Sequence, residues 1–324
     1  MINKFSQQAF NDLCEDLATQ PSCVLFLGSG PSIQLEYPSW NELTKGLLEE
    51  ILSKGKLMKE QADNYRIWVQ NYCSGKHADR FLILLDECHK DDPNSFSSYI
   101  KMKFSPKSGE NYTETHKILI ELGFSQYLTT NYDQCLEDAW MSIKGQASKW
   151  VRRGEVGFEE ALKGKLVNGY IVHLHGRYDA PDDCVVTIDQ YHDFYGGTSM
   201  YGDHFTNVEF FFREVLKDKP LLFLGYGFRD LDINIILLKI HRFLNSVYHS
   251  RPLRTTRYAF IRHPSDWKDA DLRLEALYYE RTFGIRPIFY PADDGDHSKL
   301  EDALKELSSQ KKTLEDKFKQ EGLL

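Results

Sequence analysis

The chain has 324 residues, of which 40 are Lys or Arg and 48 are Asp or Glu, so its formal net charge is −8 at pH 7. This acidic balance disfavours direct nucleic-acid binding, because a protein that binds the phosphate backbone needs a clustered basic surface. Hydrophobic residues make up 41% of the chain, enough for one large α/β core, and no apolar run approaches the length of a membrane span.

Six cysteines are scattered along the chain, at positions 14, 23, 73, 88, 135 and 184. None forms a C-x-x-C pair, so their spacing suits neither a zinc ribbon nor a thioredoxin-type redox motif. The first ten residues are polar and unlike a signal peptide. We therefore expect a cytoplasmic protein with reduced thiols and no bound zinc.

Short apolar runs alternate with helical patterns, which predicts a Rossmann-like α/β fold, a parallel sheet with flanking helices. Strands are predicted, in chain order, at 23–27, 125–129, 170–174, 185–187, 220–224, 258–261 and 287–290. A capping box formed by Ser39 and Glu42 predicts a helix to about residue 53. Further helices are predicted at 114–122, 133–140, 233–244 and 297–320, one more begins at Asp189, and the polar-faced segment 59–104 is helical without a strand.

The run G-S-G-P-S at 28–32 follows the first predicted strand directly. Glycines let a backbone turn tightly, and the N–H groups of such a loop can hold phosphate. A G-x-G-x-x-G fingerprint would need glycine where Ile33 stands. The run is therefore equally typical of a phosphate loop and of a tight turn that binds nothing.

Two more loops place polar residues at strand ends. The run T-T-N-Y-D follows at 129–133, and G-Y-G-F-R-D follows at 225–230. Residues there face the crevice in which open α/β sheets bind ligands, and a carboxylate such as Asp230 can accept hydrogen bonds from ribose hydroxyls. The alternative to ligand binding is that these residues cap the following helices. Capping is favoured for Asp133 taken alone, is as well supported as ligand binding for Asn131, and is an equally open interpretation for Asp230.

The run H-L-H-G at 173–176 ends the third predicted strand. Strand alternation puts His173 and His175 on one face, and Gly176 should leave space beside the His175 ring. An imidazole at a strand end can take up a proton near neutral pH. For His173 we favour a hydrogen-bonded structural role, so that its replacement by alanine acts mainly through stability. A metal pair lacks a suitably spaced acidic or cysteine ligand.

The order and content of these runs resemble the sirtuin family, with its glycine-rich first loop, T-x-N-x-D segment, H-G pair and later small-residue loop before an acidic position. The runs F-L-G-S-G, L-T-T-N-Y-D, H-L-H-G and L-G-Y-G-F-R-D-L-D-I more narrowly resemble its zinc-free branch in bacterial anti-phage defence NAD hydrolases. The resemblance covers about 23–290. Sirtuin deacylases carry a four-cysteine zinc module between Gly176 and Gly225, where this chain has only Cys184.

The resemblance implies hydrolysis of NAD to nicotinamide and ADP-ribose, through an oxocarbenium-like state, by the effector of an abortive-infection system. Asn131 would then position the ribose or the attacking water. His175 would act as general base or hold the ribose hydroxyls. The implied NAD-binding residues are Gly28, Ser29, Gly30 and Ser32 at the pyrophosphate, Asp133 at the nicotinamide carboxamide, Gly225, Tyr226 and Asp230 at the adenosine half, and Thr130.

The alternatives are an NAD-dependent protein deacylase or ADP-ribosyltransferase, and a non-catalytic module that senses NAD or ADP-ribose. We expect one sirtuin-like NAD-binding domain over 1–324, with a helical insert at about 59–104 and a helical tail at about 297–324. Because a freely running NAD hydrolase would exhaust its host, we expect a homo-oligomer, with or without a separate partner such as an ATPase or a nucleic-acid-sensing protein. The tail's apolar stripe is equally suited to packing on its own sheet or on a second subunit.

Overall fold

A parallel sheet of seven strands forms the centre of this computed structural model, which describes residues 4–71, 80–162, 169–195, 207–228, 230–247, 256–293 and 298–322. The strands are β1 (Val24–Leu27), β2 (Gln126–Thr129), β3 (Lys149–Arg152), β4 (Tyr170–His173), β5 (Leu221–Leu224), β6 (Arg257–His263) and β7 (Ile285–Pro291). They lie in the order β3-β4-β2-β1-β5-β6-β7, and every neighbouring pair is parallel. The predicted Rossmann-like α/β fold is confirmed.

Helices flank this sheet in the described part of the chain. They are α1 (Gln7–Thr19), α2 (Gly30–Ile33), α3 (Trp40–Ser53), α4 (Lys59–Asn71), α5 (Phe81–Asp91), α6 (Pro93–Phe104), α7 (Glu114–Leu122), α8 (Cys135–Lys144), α9 (Val156–Leu162), α10 (Ile188–Tyr195), α11 (Asn207–Asp218), α12 (Leu231–Val247), α13 (Asp269–Phe283) and α14 (Ser298–Gln320). Within the described residues, none of these helices is both long and apolar enough to cross a membrane.

The sheet is buried on both faces, which explains its nearly continuous apolar strands. Val24 and Phe26 of β1 face a core completed by α9 to α13. Leu25 and Leu27 face the opposite core, completed by α1, α7, α8 and α14. Alternation along a single strand thus supplies both layers.

Helices α3 to α6 form a third core that is separate from the two faces of the sheet. This core packs on Tyr132 and Cys184, which follow β2 and β4. The helices therefore lie at the carboxyl edge of the sheet, beside the loops of interest. Their interpretation as an insert at 59–104 in a single domain remains a prediction.

Local signals explain where two helices begin and end. The Ser39 hydroxyl accepts from the Glu42 N–H at 3.4 Å, while Glu42 accepts from the Ser39 N–H at 2.8 Å, so the predicted capping box is confirmed. Helix α7 ends at Gly123, whose φ of +73° is the left-handed conformation that glycine adopts without strain.

Two strand assignments differ from the sequence prediction. Residues 185–187 form no strand. The two valines in this segment are buried for another reason, because Val185 and Val186 pack into two different hydrophobic cores. Strand β3 was not predicted, because at this edge of the sheet only Val151 of its four residues is buried. Burial, on which the prediction relied, therefore does not coincide with pairing in either segment.

The apolar stripe of α14 packs within its own chain. Leu300, Leu304 and Leu307 are at most 3% exposed and join the core shared with α1 and α7. The hypothesis that this stripe contacts a second subunit is therefore wrong. Its leucines are already covered.

Candidate functional site

Four loops meet at the carboxyl edge of four adjacent strands. We call them the first loop (28–32), the second loop (130–134), the third loop (174–187) and the fourth loop (225–230), after β1, β2, β4 and β5. These strands are neighbours in the order β4-β2-β1-β5. Thr129 and His173 are register partners, so Asn131 and His175 each lie two residues beyond the same level of the sheet. The four loops therefore converge on one edge of the sheet.

The first and fourth loops touch backbone to backbone. A Cβ on Gly28 would lie 2.5 Å from the carbonyl oxygen of Gly225, and one on Gly30 would lie 2.8 Å from the Gly225 Cα. Gly225 has a φ of +64°, and its own Cβ would lie 2.4 Å from Cδ of Pro31. Glycine is required at these positions by the contact of the two loops, whether or not a ligand is near.

Hydrogen bonds within the site occupy much of the first loop's donor capacity. The N–H groups of Gly28 and Gly30 donate to the carbonyls of Leu224 and Gly225, at 2.9 and 3.0 Å. The Ser32 N–H donates to the Ser29 carbonyl at 2.9 Å. In this conformation these three groups are not available to a pyrophosphate. The phosphate-binding role remains a prediction, and exposed Ser29 is the residue of this loop best placed for it.

Asn131 is held at both its side chain and its backbone. Its Nδ2 donates to the Gly28 carbonyl at 3.2 Å and to the Ser32 hydroxyl at 3.3 Å. Its N–H donates to Oγ1 of Thr129 at 3.0 Å. The residue is 7% exposed, so its carboxamide joins the first and second loops at the rim of the crevice.

His175 lies under aromatic side chains of α10. Its Nε2 is hydrogen-bonded to the Tyr195 hydroxyl, and its ring meets Tyr191 edge-on at 5.2 Å and Phe194 at 6.3 Å. Its Nδ1 is buried, and the described residues offer it no hydrogen-bond partner. Burial, and to a smaller extent the charge of Arg153, lowers the pKa of His175 to about 3. The ring is therefore neutral at physiological pH.

Gly176 serves the third loop differently from our expectation. Its φ is +84°, and a Cβ would lie 2.9 Å from the Cα of Cys184 and 3.0 Å from the Asp183 carbonyl oxygen. The missing side chain admits the returning backbone of the same loop. Space beside the His175 ring is not what it provides.

The fourth loop lies nearer to His175 than its predicted adenosine role implies. Asp230 accepts a hydrogen bond from the Tyr191 hydroxyl at 3.2 Å, so one tyrosine separates it from the His175 ring. Asp230 also caps α12 by accepting from the Ile233 N–H at 3.1 Å. Burial raises the pKa of Asp230 to about 6. The hydroxyl of Tyr226 is buried without a hydrogen-bond partner among the described residues.

The remaining predicted residues belong to the second loop. Asp133 is 5% exposed and accepts from the Cys135 N–H at 3.0 Å, so its carboxylate binds the first N–H of α8. Burial, and to a smaller extent the charge of Asp133, raises the pKa of the Cys135 thiol. Thr130 is half-buried. Ligand-binding roles for Asp133 and Thr130 remain predictions. Arg229 of the fourth loop lies outside the described residues.

Sequence reasoning missed the residues that surround the two histidines. Tyr191 and Tyr195, one helical turn apart on α10, cover His175, and their Y-x-x-x-Y spacing was the only signal. Glu137 and Arg177 lie behind His173. Nothing in the sequence distinguishes Glu137 from the other acidic residues of its helix.

No group of three or more metal-ligating side chains is found between residues 4 and 322, over the ranges that the structure describes. Cys73 lies outside those ranges, so this result does not cover all six cysteines. The absence of zinc remains a prediction.

Comparison with known proteins identifies the family. The sequence model of the SIR2-like domain matches residues 125–288, which is just over half of the chain. The chain belongs to the SIR2-like domain family. The matched region of this SIR2-like chain begins at β2 and contains Asn131, His175 and the fourth loop, whereas the first loop lies before it.

Several curated relatives are named as NAD(+) hydrolases or as a defense-associated sirtuin. The NAD(+) hydrolase ThsA of Acinetobacter baumannii (strain 532279) is 28% identical over 218 residues, covering 67% of this chain and 38% of that protein. The NAD(+) hydrolase ThsA of Cytobacillus dafuensis is 24% identical over 280 residues, covering 83% and 50%. Defense-associated sirtuin 2 of Bacillus subtilis is 23% identical over 274 residues, covering 82% and 23%. The chain thus spans half or less of each of these relatives.

Proposed function

We propose that this SIR2-like chain hydrolyses NAD to nicotinamide and ADP-ribose at the edge where the four loops meet. The observation that carries the proposal is the placement of Asn131 and neutral His175 at one level of adjacent strands, beside two glycine loops in contact. Ligands of open α/β sheets bind in the crevice outside the carboxyl ends of the strands. Relatives named NAD(+) hydrolase support NAD as the substrate.

The reaction requires no group beyond NAD and water. The bond between the ribose C1′ and the pyridinium nitrogen breaks, and nicotinamide leaves with the bonding electron pair. Water then adds to the oxocarbenium-like C1′ and loses a proton to solvent. The carboxamide of Asn131 is suited to orienting the ribose or this water, because its Oδ1 can accept a hydrogen bond from either while its Nδ2 donates to Gly28 and Ser32.

His175 has two possible roles, and its surroundings favour one of them. A general base works best when its pKa is close to the operating pH. The pKa of His175 is lowered by burial to about 3, so the ring is a weak base but a stable, neutral hydrogen-bonding group. We propose that it holds the ribose hydroxyls. A substrate that reaches it must displace part of the cover formed by Tyr191 and Tyr195.

The biological setting is also a proposal. The relative named Defense-associated sirtuin 2 supports a role in defence, and we propose an effector of anti-phage defence that acts by abortive infection. We propose that the chain acts in the cytoplasm as a homo-oligomer, restrained by assembly or by a separate defence-system partner. Since Leu300, Leu304 and Leu307 of α14 are buried within their own chain, any contact between subunits must use a surface other than this stripe.

Incubation of the purified protein with NAD, followed by chromatography, tests the proposed reaction. We expect equal amounts of nicotinamide and ADP-ribose to appear as NAD disappears. An acyl-lysine peptide added to a parallel reaction tests the deacylase alternative. Nicotinamide released only with that peptide would contradict hydrolysis, and binding of NAD without any product would favour the sensing module.

A further inference from the structure

His173 lies directly behind Asn131, with its ring between two hydrogen-bond acceptors. Nδ1 lies 3.0 Å from the carbonyl oxygen of Asn131, and Nε2 lies 2.9 Å from Oε1 of Glu137 on α8. A carbonyl oxygen and an ionised carboxylate can only accept hydrogen bonds. Both ring nitrogens must then carry a proton, which makes His173 an imidazolium.

The charges around His173 agree with this protonation state. Glu137 is buried, with 10% of its side chain exposed, and Arg177 lies 3.6 Å from the same carboxylate oxygen. Burial alone lowers the pKa of His173, but the Glu137 charge outweighs it, and the net pKa lies above the usual value. Burial likewise raises the pKa of Glu137, and the charges of His173 and Arg177 bring it below the usual value.

The other charged group beside this pair is already engaged. Arg152 of β3 is the register partner of His173, and its guanidinium binds Asp183 at 2.9 Å. His173 at the end of β4 and His175 two residues later in the third loop are therefore held in opposite states, His173 charged and His175 neutral. Environments that push two titratable groups apart commonly assign them different tasks.

We propose that His173 is a positioning residue: as an imidazolium fixed by Glu137, it holds the peptide group of Asn131 at the place where NAD is cleaved. Hydrogen bonds restrain the Asn131 backbone on both sides, at its N–H by Thr129 and at its carbonyl by His173. Without the second bond, the carboxamide of Asn131 can drift. The inference rests on the proposed function for its catalytic consequence, but not for the charge state itself.

The variant Glu137→Gln tests the proposal, because glutamine keeps the shape of the side chain and removes its charge. The matched control is Glu209→Gln, in which another buried glutamate, 7% exposed and 2.9 Å from Lys239, loses its charge on α11. Kinetics with NAD and nitrogen-15 NMR of the histidine rings and asparagine side chains are measured for both variants. A displacement of about 1 Å at a reacting group costs roughly 10²-fold in rate.

We expect both ring nitrogens of His173 to be protonated at pH 7 in the unchanged protein, and only Nδ1 to be protonated in Glu137→Gln. The variant should lose kcat by about 10- to 100-fold, with KM little changed, and the Asn131 side-chain resonance should move. Glu209→Gln should change none of these quantities.

A titration of the unchanged protein keeps the test valid if Glu137→Gln does not fold. As the pH rises through the His173 pKa, the Asn131 resonance should shift with the same midpoint. A neutral His173 at pH 7 would overturn the inference even if NAD is cleaved. So would an Asn131 resonance whose chemical shift does not change as His173 titrates. Coupled resonances in a protein that never cleaves NAD would instead support the positioning and contradict the proposed function.

Discussion

Burial determines what a single histidine can contribute at the carboxyl edge. The His175 ring has lost nearly all contact with water, its Nε2 meets a tyrosine hydroxyl, and its Nδ1 has no partner in the described residues. Charging such a ring costs free energy, because no carboxylate compensates for its lost hydration. Its neutral form is thus part of the folded state.

The neutral state of His175 predicts a dependence of stability on pH. Its folded-state pKa of about 3 lies below the unfolded value near 6.5, so its contribution is complete above pH 6.5 and is lost as the pH falls toward 3. Each pH unit within this window changes the free energy of unfolding by at most about 1.4 kcal/mol. Urea unfolding of the protein and of His175→Asn between pH 7 and 4 measures the difference in slope.

The comparison of the two proteins isolates this residue from other groups that titrate in the same window. One is Asp230, whose pKa is raised by burial to about 6 and which acts in the opposite direction. We expect the free energy of unfolding to fall more steeply with acid in the unchanged protein than in His175→Asn. Equal slopes would mean that His175 is not buried in its neutral form.

The sequence predicted the positions of the key polar residues, but not what surrounds them. Asn131 and His175 follow recognisable strands, so their common edge could be inferred from topology. The contacts of Tyr195 with His175 and of Glu137 with His173 join residues 20 and 36 positions apart. Such contacts depend on tertiary packing, which no local pattern encodes.

At the scale of the structural elements, the backbone contact between the first and fourth loops determines the shape of the site. The first and fourth loops approach so closely that Gly28 and Gly225 leave no room for side chains. Their contact fixes the ends of β1 and β5, the strands at which the chain's connections change direction across the sheet. An enlarged residue here should disturb both loops together.

The substitution Gly225→Ala tests this contact, and Gly55→Ala provides a matched control. The two glycines have nearly the same positive φ, +64° and +62°, but a Cβ placed on Gly55 would meet no other part of the structure within 4 Å. Both variants therefore carry the strain of a left-handed alanine. Only Gly225→Ala adds overpacking, which typically costs about 1–3 kcal/mol.

Chemical unfolding of the two variants gives this difference directly. Gly225→Ala should be less stable than Gly55→Ala by about 1–3 kcal/mol, and NAD cleavage should fall in Gly225→Ala alone. Equal losses of stability would show that the loops separate easily and that their contact is not required.

Elements were predictable where pattern and burial agree. The apolar runs of β1, β2, β4 and β5 identified the centre of the sheet, and the Ser39 capping box identified the start of α3. Edge strand β3 could not be predicted in this way. A strand that is paired on just one side needs little apolar surface. The valines near 185 were buried by neighbouring helices and not by a sheet.

At the scale of the whole molecule, the relatives of this chain are longer than the region that it matches. The chain spans from 23% to 50% of the length of the relatives compared above, so those proteins contain further sequence that it does not match. The buried stripe of α14 removes the surface that sequence alone offered for assembly.

The proposed restraint by assembly predicts that oligomeric state and activity change together. We expect light scattering at micromolar protein to report a species larger than the 37.7 kDa chain, and dilution below its dissociation to change the rate of NAD cleavage per chain. A monodisperse monomer that cleaves NAD at full rate without a partner would contradict the restraint and leave the chemistry untouched.

The most direct test of the proposed site is the rate of nicotinamide release by Asn131→Ala and by His175→Ala, measured beside the unchanged protein and Gly55→Ala. Circular dichroism establishes that each variant is folded. Loss of a group that positions the reacting atoms typically costs about 10²-fold in rate, because a displacement of about 1 Å is enough to produce it. We predict a loss of this size in Asn131→Ala and in His175→Ala, with Gly55→Ala close to the unchanged protein. A folded Asn131→Ala or His175→Ala that released nicotinamide at the unchanged rate would contradict cleavage of NAD at this edge of the sheet.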